Sequence, residues 1–379
     1  MTDSGPIKRT LPTHLAPEIN EAGDTFCTGP VKRTLPTHLN QMLTVTRYEM
    51  LKYMRSRRLV GAIAVIILIV ALIYIIPLAL NQPYSGHVTL ELEMKPLSPF
   101  SSYDYLNHSY ITNESIVVSI NGTEIPRTNN WTYTSSGNIV NINQSVMDLA
   151  GKQVVADFDF RESAKSFSSS FMQFVSTLII ICIVFFGADA LVSEYQTRTA
   201  YLLFPNPIKK EVMFLGKFLA SFIASLLMVG LFYVLIVVLS LLSVGGVAFY
   251  LPLSFAFATL FLISILAVAF FISSIMKGST GAIVLTFFLM FMILPIVQSV
   301  GMISGMKMWF LVTFTGDLTS TSLSWDHYPV DSVETYPGMG FTLYNYYPDP
   351  GTSVVVMVAY LIVFGAISMY LFKRKELTG

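Results

Sequence analysis

Residues 189–217 read DALVSEYQTRTAYLLFPNPIKKEVMFLGK, and they separate two long apolar runs at 167–188 and 218–244. Each run meets the ~18–20 apolar residues needed to cross a hydrocarbon core of about 30 Å, so both are expected to be membrane-spanning helices. The stretch between them is short and polar. Beyond Asp189 at its start, it combines clustered base (Lys209, Lys210, Lys217), two acids (Glu194, Glu211) and a Pro205-Asn206-Pro207 break. Long apolar helices can carry force but cannot exchange it with water-soluble machinery. A charged, proline-punctuated connection between two spans can.

The rest of the chain extends that reading. With 379 residues, 53% hydrophobic and 12% charged, it lies outside the range of an ordinary soluble domain. Spans are expected at 59–80, 167–190, 218–244, 252–276, 281–303 and 352–372. The net charge is zero, so overall balance points to no nucleic-acid partner; the distribution of charge says more. The segments before the first span, between the second and third, between the fourth and fifth, and after the sixth are net basic. By contrast 81–165 holds nine acids against five bases, and 304–351 holds five acids and only Lys307. Basic loops stay on the cytoplasmic side of a membrane. The expected fold is therefore an α-helical polytopic protein of the cell membrane with six transmembrane helices. Both termini are expected in the cytoplasm, with 81–165 and 304–351 extracellular.

Residues 1–41 carry a near-exact repeat, GPIKRTLPTHL at 5–15 and GPVKRTLPTHL at 29–39, in a composition that predicts a disordered cytoplasmic tail. The repeat reads as a duplication in a tolerant region or as a bivalent docking peptide, in which a second copy raises effective concentration. Residues 42–58, MLTVTRYEMLKYMRSRR, predict a basic interfacial helix with Leu43, Met50 and Met54 on one side. Glu49, Lys52 and Arg55 fall broadly opposite, and Arg47 spoils the stripe. Between 81 and 165 the pattern switches to alternation, as in HVTLELEMK and SIVVSING, with an Asn121-Gly122 turn, and a small β-rich domain is expected between the first and second spans. Asn-X-Ser/Thr sequons stand at Asn107, Asn113, Asn121, Asn130 and Asn143, all inside this segment, which points to exposure to a glycosylation machinery outside the cytoplasm. Asp189, at the end of the second span, reads as an interfacial acid rather than a midplane proton carrier. The 304–351 loop opens with MKMWFLVTFTGDL, too short to span, and is dense in aromatics that suit a membrane–water interface.

Within 191–217, Ser193-Glu194, Thr199, Pro207 and Leu215-Gly216-Lys217 stand without a gap at the spacing of a known signature. The segment resembles that of type-2 ABC exporter permeases, which reads roughly Ser-Glu-Arg-Glu-x-Gly-Thr, eight residues to a Pro, then ten to a Lys. Tyr195, Gln196 and Arg198 depart from the pattern, where Arg, Glu and Gly are usual. The resemblance implies that 191–217 touches a partner ATPase and transmits its stroke. It places Glu194, Arg198, Thr199, Pro207, Lys209 and Lys210 in coupling, and Lys217 as an anchor of the third span at the interface. Residues 42–58 are then similar to the family's elbow helix, the Ser273-Ser274-Ile275-Met276-Lys277-Gly278 hinge and the basic Lys373-Arg374-Lys375 end are also common there, and short re-entrant helices are expected within 304–351. The partners implied are a separate ATPase subunit, holding ATP and magnesium, and a second permease subunit, identical or related. A β-rich domain after the first span distinguishes this chain from the barest members.

Other chemistry is missing from the sequence. No GxxxxGK[ST] loop occurs, since Gly151-Lys152 and Gly216-Lys217 lack both the upstream Gly and the following Ser/Thr, so no cofactor and no ATP hydrolysis are expected in this chain. HExxH, CxxC and GxSxG are absent too. The two cysteines, Cys27 and Cys182, fall in the polar tail and in a span, giving no disulfide framework. His87, His108 and His327 read as isolated surface residues before they read as a metal site. The spans carry almost no internal charge, unlike ion-coupled transporters, which favours an energy source outside the chain. An alternative reading is a multi-span membrane glycoprotein whose β-rich ectodomain binds an external ligand or protein, although six spans exceed what an anchor needs.

Overall fold

The computed structural model describes residues 38–80, 83–98, 101–106, 111–127, 130–135, 137–143, 152–193, 209–336 and 341–374. The tandem repeat, apart from His38 and Leu39, lies outside them.

The chain opens with α1 (His38–Met54), turns at Arg55–Ser56, and continues as α2 (Arg57–Ala79). At 1.5 Å per residue, α2 is about 34 Å long, enough to cross a bilayer. Its sequence is apolar all round, yet only Ala62, Ile66 and Val70 are buried, so one narrow i, i+4 stripe meets protein and the other faces are left for lipid. The sequence reading carried the interfacial helix through Arg58; in the structure Arg57 and Arg58 already belong to α2, because the chain breaks where Ser56 Oγ bonds back to the Tyr53 carbonyl.

Next, among the described residues, come eight strands: β1 (Ser85–Leu92), β2 (Lys95–Ser98), β3 (Ser101–Tyr105), β4 (Val117–Ile120), β5 (Thr123–Ile125), β6 (Trp131–Thr134), β7 (Ile139–Asn143) and β8 (Val154–Arg161). They form two antiparallel four-stranded sheets ordered β1-β8-β4-β5 and β2-β3-β7-β6. Alternation decides which side chains meet: Val118, Ala156 and Phe158 from one sheet and Val140, Ile142 and Trp131 from the other share a single core, a β-sandwich. The β4–β5 hairpin turns on Asn121 (φ 50°) and Gly122 (φ 79°), both left-handed, as an Asn-Gly two-residue turn requires.

The remaining helices are α3 (Ala164–Met172), α4 (Val175–Phe186), α5 (Lys210–Val244), α6 (Leu251–Ile275), α7 (Ser279–Phe288), α8 (Leu294–Ile303), the short α9 (Val312–Gly316) and α10 (Leu318–Thr321), and α11 (Pro350–Arg374). Among the described residues, five helical segments are long and apolar enough to cross a membrane (α2, α5, α6, α7 with α8, and α11), or six if α3 and α4, bent by 41° at Gln173–Phe174, count as one span. The second span was expected to be continuous, and the structure breaks it. α7 and α8 join through a π turn at Leu289–Ile293, placed just before Pro295, where the missing N–H and the ring disturb the regular ladder. α6 is the central helix, buried against α4, α5 and α11.

The connection from α8 to α11 sinks partly into the bundle. Ser176 Oγ donates to the Gly316 carbonyl at 3.1 Å and Ser254 Oγ to the Thr319 carbonyl at 2.5 Å. A Cβ on Gly316 would come within 2.6 Å of the Phe261 ring. Residues 332–336 and 341–345 then pair as a hairpin of β9 and β10, strands for which the aromatic-rich sequence gave no alternation signal. Asp349 caps α11, accepting from Thr352 N at 2.9 Å, and that bond holds its carboxyl below the usual range.

Candidate functional site

The charged residues that are buried in the bundle, Glu49, Asp189 and Lys217, lie on α1 and on the segments that flank the connector of residues 194–208. The first element of this site is the inner face of α1, made of Gln41, Thr46, Glu49 and Tyr53. Thr46, Glu49 and Tyr53 recur at helical spacing, so a polar stripe rather than an apolar one meets the start of α5. That contact separates Glu49 from Lys52 and Arg55, with which helical periodicity grouped it: Glu49 is buried, whereas Lys52 and Arg55 are exposed, as are Leu39, Leu43, Leu51 and Met54.

Gly216 sets how closely the two helices approach: a Cβ there would lie 2.7 Å from Val45 Cγ1 and 3.1 Å from the Met42 carbonyl. With the helices this close, Thr46 Oγ1 donates to the Gly216 carbonyl at 3.2 Å, and one residue on, Lys217 Nζ meets Glu49 Oε1 at 2.5 Å. The Lys217 and Glu49 side chains are 2% and 5% exposed. Two charges so far from water persist because each compensates the other. Lys52 Nζ, half exposed, lies 3.6 Å from the second Glu49 oxygen.

One turn along, Tyr53 Oη donates to the Phe186 carbonyl at 2.9 Å and lies 3.0 Å from Ser221 Oγ, which donates to the same carbonyl at 2.8 Å. α4 ends at Phe186, so this carbonyl belongs to a helix C-terminus, where side chains take over from the ladder. The Tyr53 and Phe186 rings meet edge to face at 5.4 Å. α1, α4 and α5 are thereby joined at one carbonyl.

The third group surrounds Asp189. Arg58, on the first turn of α2, donates from both terminal nitrogens to its two oxygens, each at 2.7 Å. This fork geometry gives both charge and orientation. Ser279 Oγ, at the start of α7, donates to Asp189 Oδ2 at 2.8 Å. Immediately after, Leu191 N and Val192 N donate to Ser273 Oγ at 3.2 and 3.3 Å, tying the end of the α4 segment to α6.

Of the residues singled out from sequence, Glu194, Arg198, Thr199 and Pro207 lie outside the described residues. Lys209 is exposed just before α5, and Lys210 on its first turn donates to the Lys373 carbonyl of α11 at 3.1 Å. Glu211 pairs on the surface with Lys373 at 2.5 Å. Lys217 is buried under α1. Sequence reasoning missed Glu49, Tyr53, Ser221 and the Arg58 partner of Asp189. A lone acid in a basic helix, with Thr46 three residues before it and Tyr53 four after, was the available signal.

The sequons sit elsewhere, on the sandwich. Asn107 lies outside the described residues. Asn113 Oδ1 accepts from Arg127 at 2.7 Å, Asn121 Oδ1 accepts from Gln153 N at 2.9 Å, Asn130 Nδ2 donates to the Pro126 carbonyl at 2.8 Å, and Asn143 ends β7. Among the described residues no group of three His, Cys, Asp or Glu side chains is placed to hold a metal ion.

A comparison with curated proteins finds no match. Residues 43–377 match the family described as ABC-2 family transporter protein, and the chain belongs to that family.

Proposed function

We propose that this chain is the membrane-spanning permease subunit of an ABC transporter that exports a substrate across the cell membrane, powered by a separate ATPase subunit that holds ATP and magnesium. Family membership makes it a transport component of the membrane, not a catalyst. In this reading the α1 end faces the cytoplasm, the β-sandwich and 304–351 lie outside, and a second permease subunit completes the path. The sandwich would carry glycans at Asn107, Asn113, Asn121, Asn130 and Asn143.

One observation carries the proposal. The connector is entered past Asp189 and left toward Lys217, and both are tied by charged contacts to other elements: Asp189 to α2 and α7, Lys217 to α1. A push on 194–208 therefore reaches α1, α2, α4, α5 and α7 together. Salt-bridged and packed elements of this kind shift between discrete arrangements rather than deform smoothly. Glu194, Arg198, Thr199, Pro207, Lys209 and Lys210 would receive that push by contact with the ATPase.

The test is purification of the tagged protein from its own membranes in mild detergent, with mass spectrometry of what accompanies it. A chain with a phosphate loop, in roughly equal amount, is the expected result. A Glu194→Ala plus Lys209→Ala protein should lose ATP-dependent transport activity; full activity in that variant would count against the coupling assignment.

A further inference from the structure

The β-sandwich joins the helices through bonded contacts rather than through a tether. β1 and β8 leave the sheet side by side, with Ser85 opposite Arg161. The pairing runs one step further, to a bond from Glu162 N to the Tyr84 carbonyl at 2.9 Å. Ser163 follows directly and caps α3, its Oγ accepting from Ser166 N at 3.1 Å. Only Glu162 and Ser163 separate the sheet from the second span.

On the other strand Tyr84 folds back onto the first span. Its hydroxyl is shared between the Ile73 and Tyr74 carbonyls, at 3.2 Å each. Its ring stacks on Tyr74 at 5.4 Å and meets the edge of Phe167, on α3, at 4.9 Å. The far end of α5 closes the group: Ser243 Oγ donates to Tyr74 Oη at 3.1 Å, while its carbonyl accepts from Ser85 Oγ at 3.3 Å. Two residues on, Gly245 has φ +68°, and a Cβ there would lie 3.1 Å from the Arg161 guanidinium.

We propose that Tyr84 is the centre of a rigid clamp that gears the β-sandwich to the ends of α2, α3 and α5, so that the sandwich moves as one body with these spans during the transport cycle. Close-packed aromatic contacts transmit displacement because there is no void to absorb it. β8 is paired through Arg161, Glu162 N bonds to the Tyr84 carbonyl, and Ser163 caps α3, so each residue between β8 and α3 is held by a hydrogen bond. Any tilt of α3 against α4 across their 41° bend is then delivered to the sandwich. The sandwich is a moving part of the permease. The inference rests on the permease reading above and assigns its extra domain a role within that cycle.

The experiment uses the full chain with its copurified ATPase in nanodiscs, spin-labelled in a Cys27→Ser background; Cys182 is fully buried and takes no label. One label pair joins Thr123, exposed in the sandwich, to Val330, 81% exposed before β9. A second joins Tyr48, 69% exposed on α1, to Lys277, exposed before α7. Distances are compared between nucleotide-free and ATP–vanadate-trapped protein. Both pairs are expected to shift in the wild type. Tyr84→Ala should keep the Tyr48–Lys277 shift and lose the Thr123–Val330 shift, and a Gly-Gly insertion after Glu162, which leaves both cores intact, should do the same. A wild-type protein in which Tyr48–Lys277 responds and Thr123–Val330 does not overturns the clamp, as does a full Thr123–Val330 shift in both altered proteins. If neither pair responds to nucleotide, the permease reading itself fails and the gearing falls with it.

Discussion

Replacing Lys217 by Met removes one half of the Glu49–Lys217 pair, whose side chains are 5% and 2% exposed and whose charged atoms lie 2.5 Å apart. At an effective dielectric constant of about 20 the gross attraction at that separation is roughly 6–7 kcal/mol. Desolvation of several kcal/mol per ion offsets most of it, so the intact pair contributes little net stability. Loss of one partner is different, because the desolvation of the survivor is left uncompensated at a cost of about 3–5 kcal/mol. Lys52, half exposed at 3.6 Å from the second Glu49 oxygen, returns about 1 kcal/mol in a water-like dielectric, so Lys217→Met falls at the lower end of that range. Amide hydrogen exchange over Met42–Tyr53 reads the effect locally. About 3 kcal/mol corresponds to exchange faster by roughly 100-fold, with a tenfold step per 1.4 kcal/mol. The double replacement Glu49→Leu with Lys217→Met restores a matched apolar contact and should return exchange to within about tenfold of wild type, a coupling that only residues in contact display. Wild-type exchange in Lys217→Met, or a double variant as fast as the two single effects summed, would refute the argument that α1 is held by a buried ion pair.

Other perturbations follow from the same contacts. Gly216→Ala should destabilise the α1–α5 contact by about 1–3 kcal/mol through overpacking against Val45, despite alanine's better helix propensity, and Val45→Ala in addition should restore thermal stability. Asp189→Asn should lower the melting temperature more than Arg58→Lys, since the amide loses charge and fork together whereas lysine keeps the charge alone. Burial raises the Asp317 carboxyl to about 6, against the opposing bond from Gln298. Its folded value lies above the unfolded one, so its contribution to stability is full below about pH 4 and is lost as the pH rises through 6. The melting temperature of the wild type should therefore gain on that of Asp317→Asn between pH 7.5 and 5; parallel curves would exclude the assignment.

The spans were legible because runs of apolar residues have no other stable environment at that length, and α2, α5, α6 and α11 lie close to where hydropathy placed them. The Asn121-Gly122 hairpin was legible for a local reason, the left-handed backbone that this pair tolerates. What escaped the sequence is what depends on partners far along the chain. Glu49 is an acid on a basic helix until Lys217 arrives 168 residues later, and Asp189 reads as an interfacial group until Arg58 is set against it. Helical periodicity sorted α1 by hydrophobicity and grouped Glu49 with Lys52 and Arg55, when the face that packs is the polar stripe of Thr46, Glu49 and Tyr53. The break between α3 and α4 had no proline or glycine to announce it. Tyr84 gave no signal at all, because its role comes from three helices that converge only in the folded chain.

The central claim, that residues at the α1 end receive the stroke of a separate ATPase, is tested most directly by a photo-crosslinking amino acid placed at Lys209, with Thr123 on the sandwich as the control. The protein is irradiated in its own membranes and its adducts are identified by mass spectrometry. The account predicts an adduct between position 209 and a chain that carries a phosphate loop, and none from position 123. An ATPase adduct from position 123, or none from position 209, would contradict it.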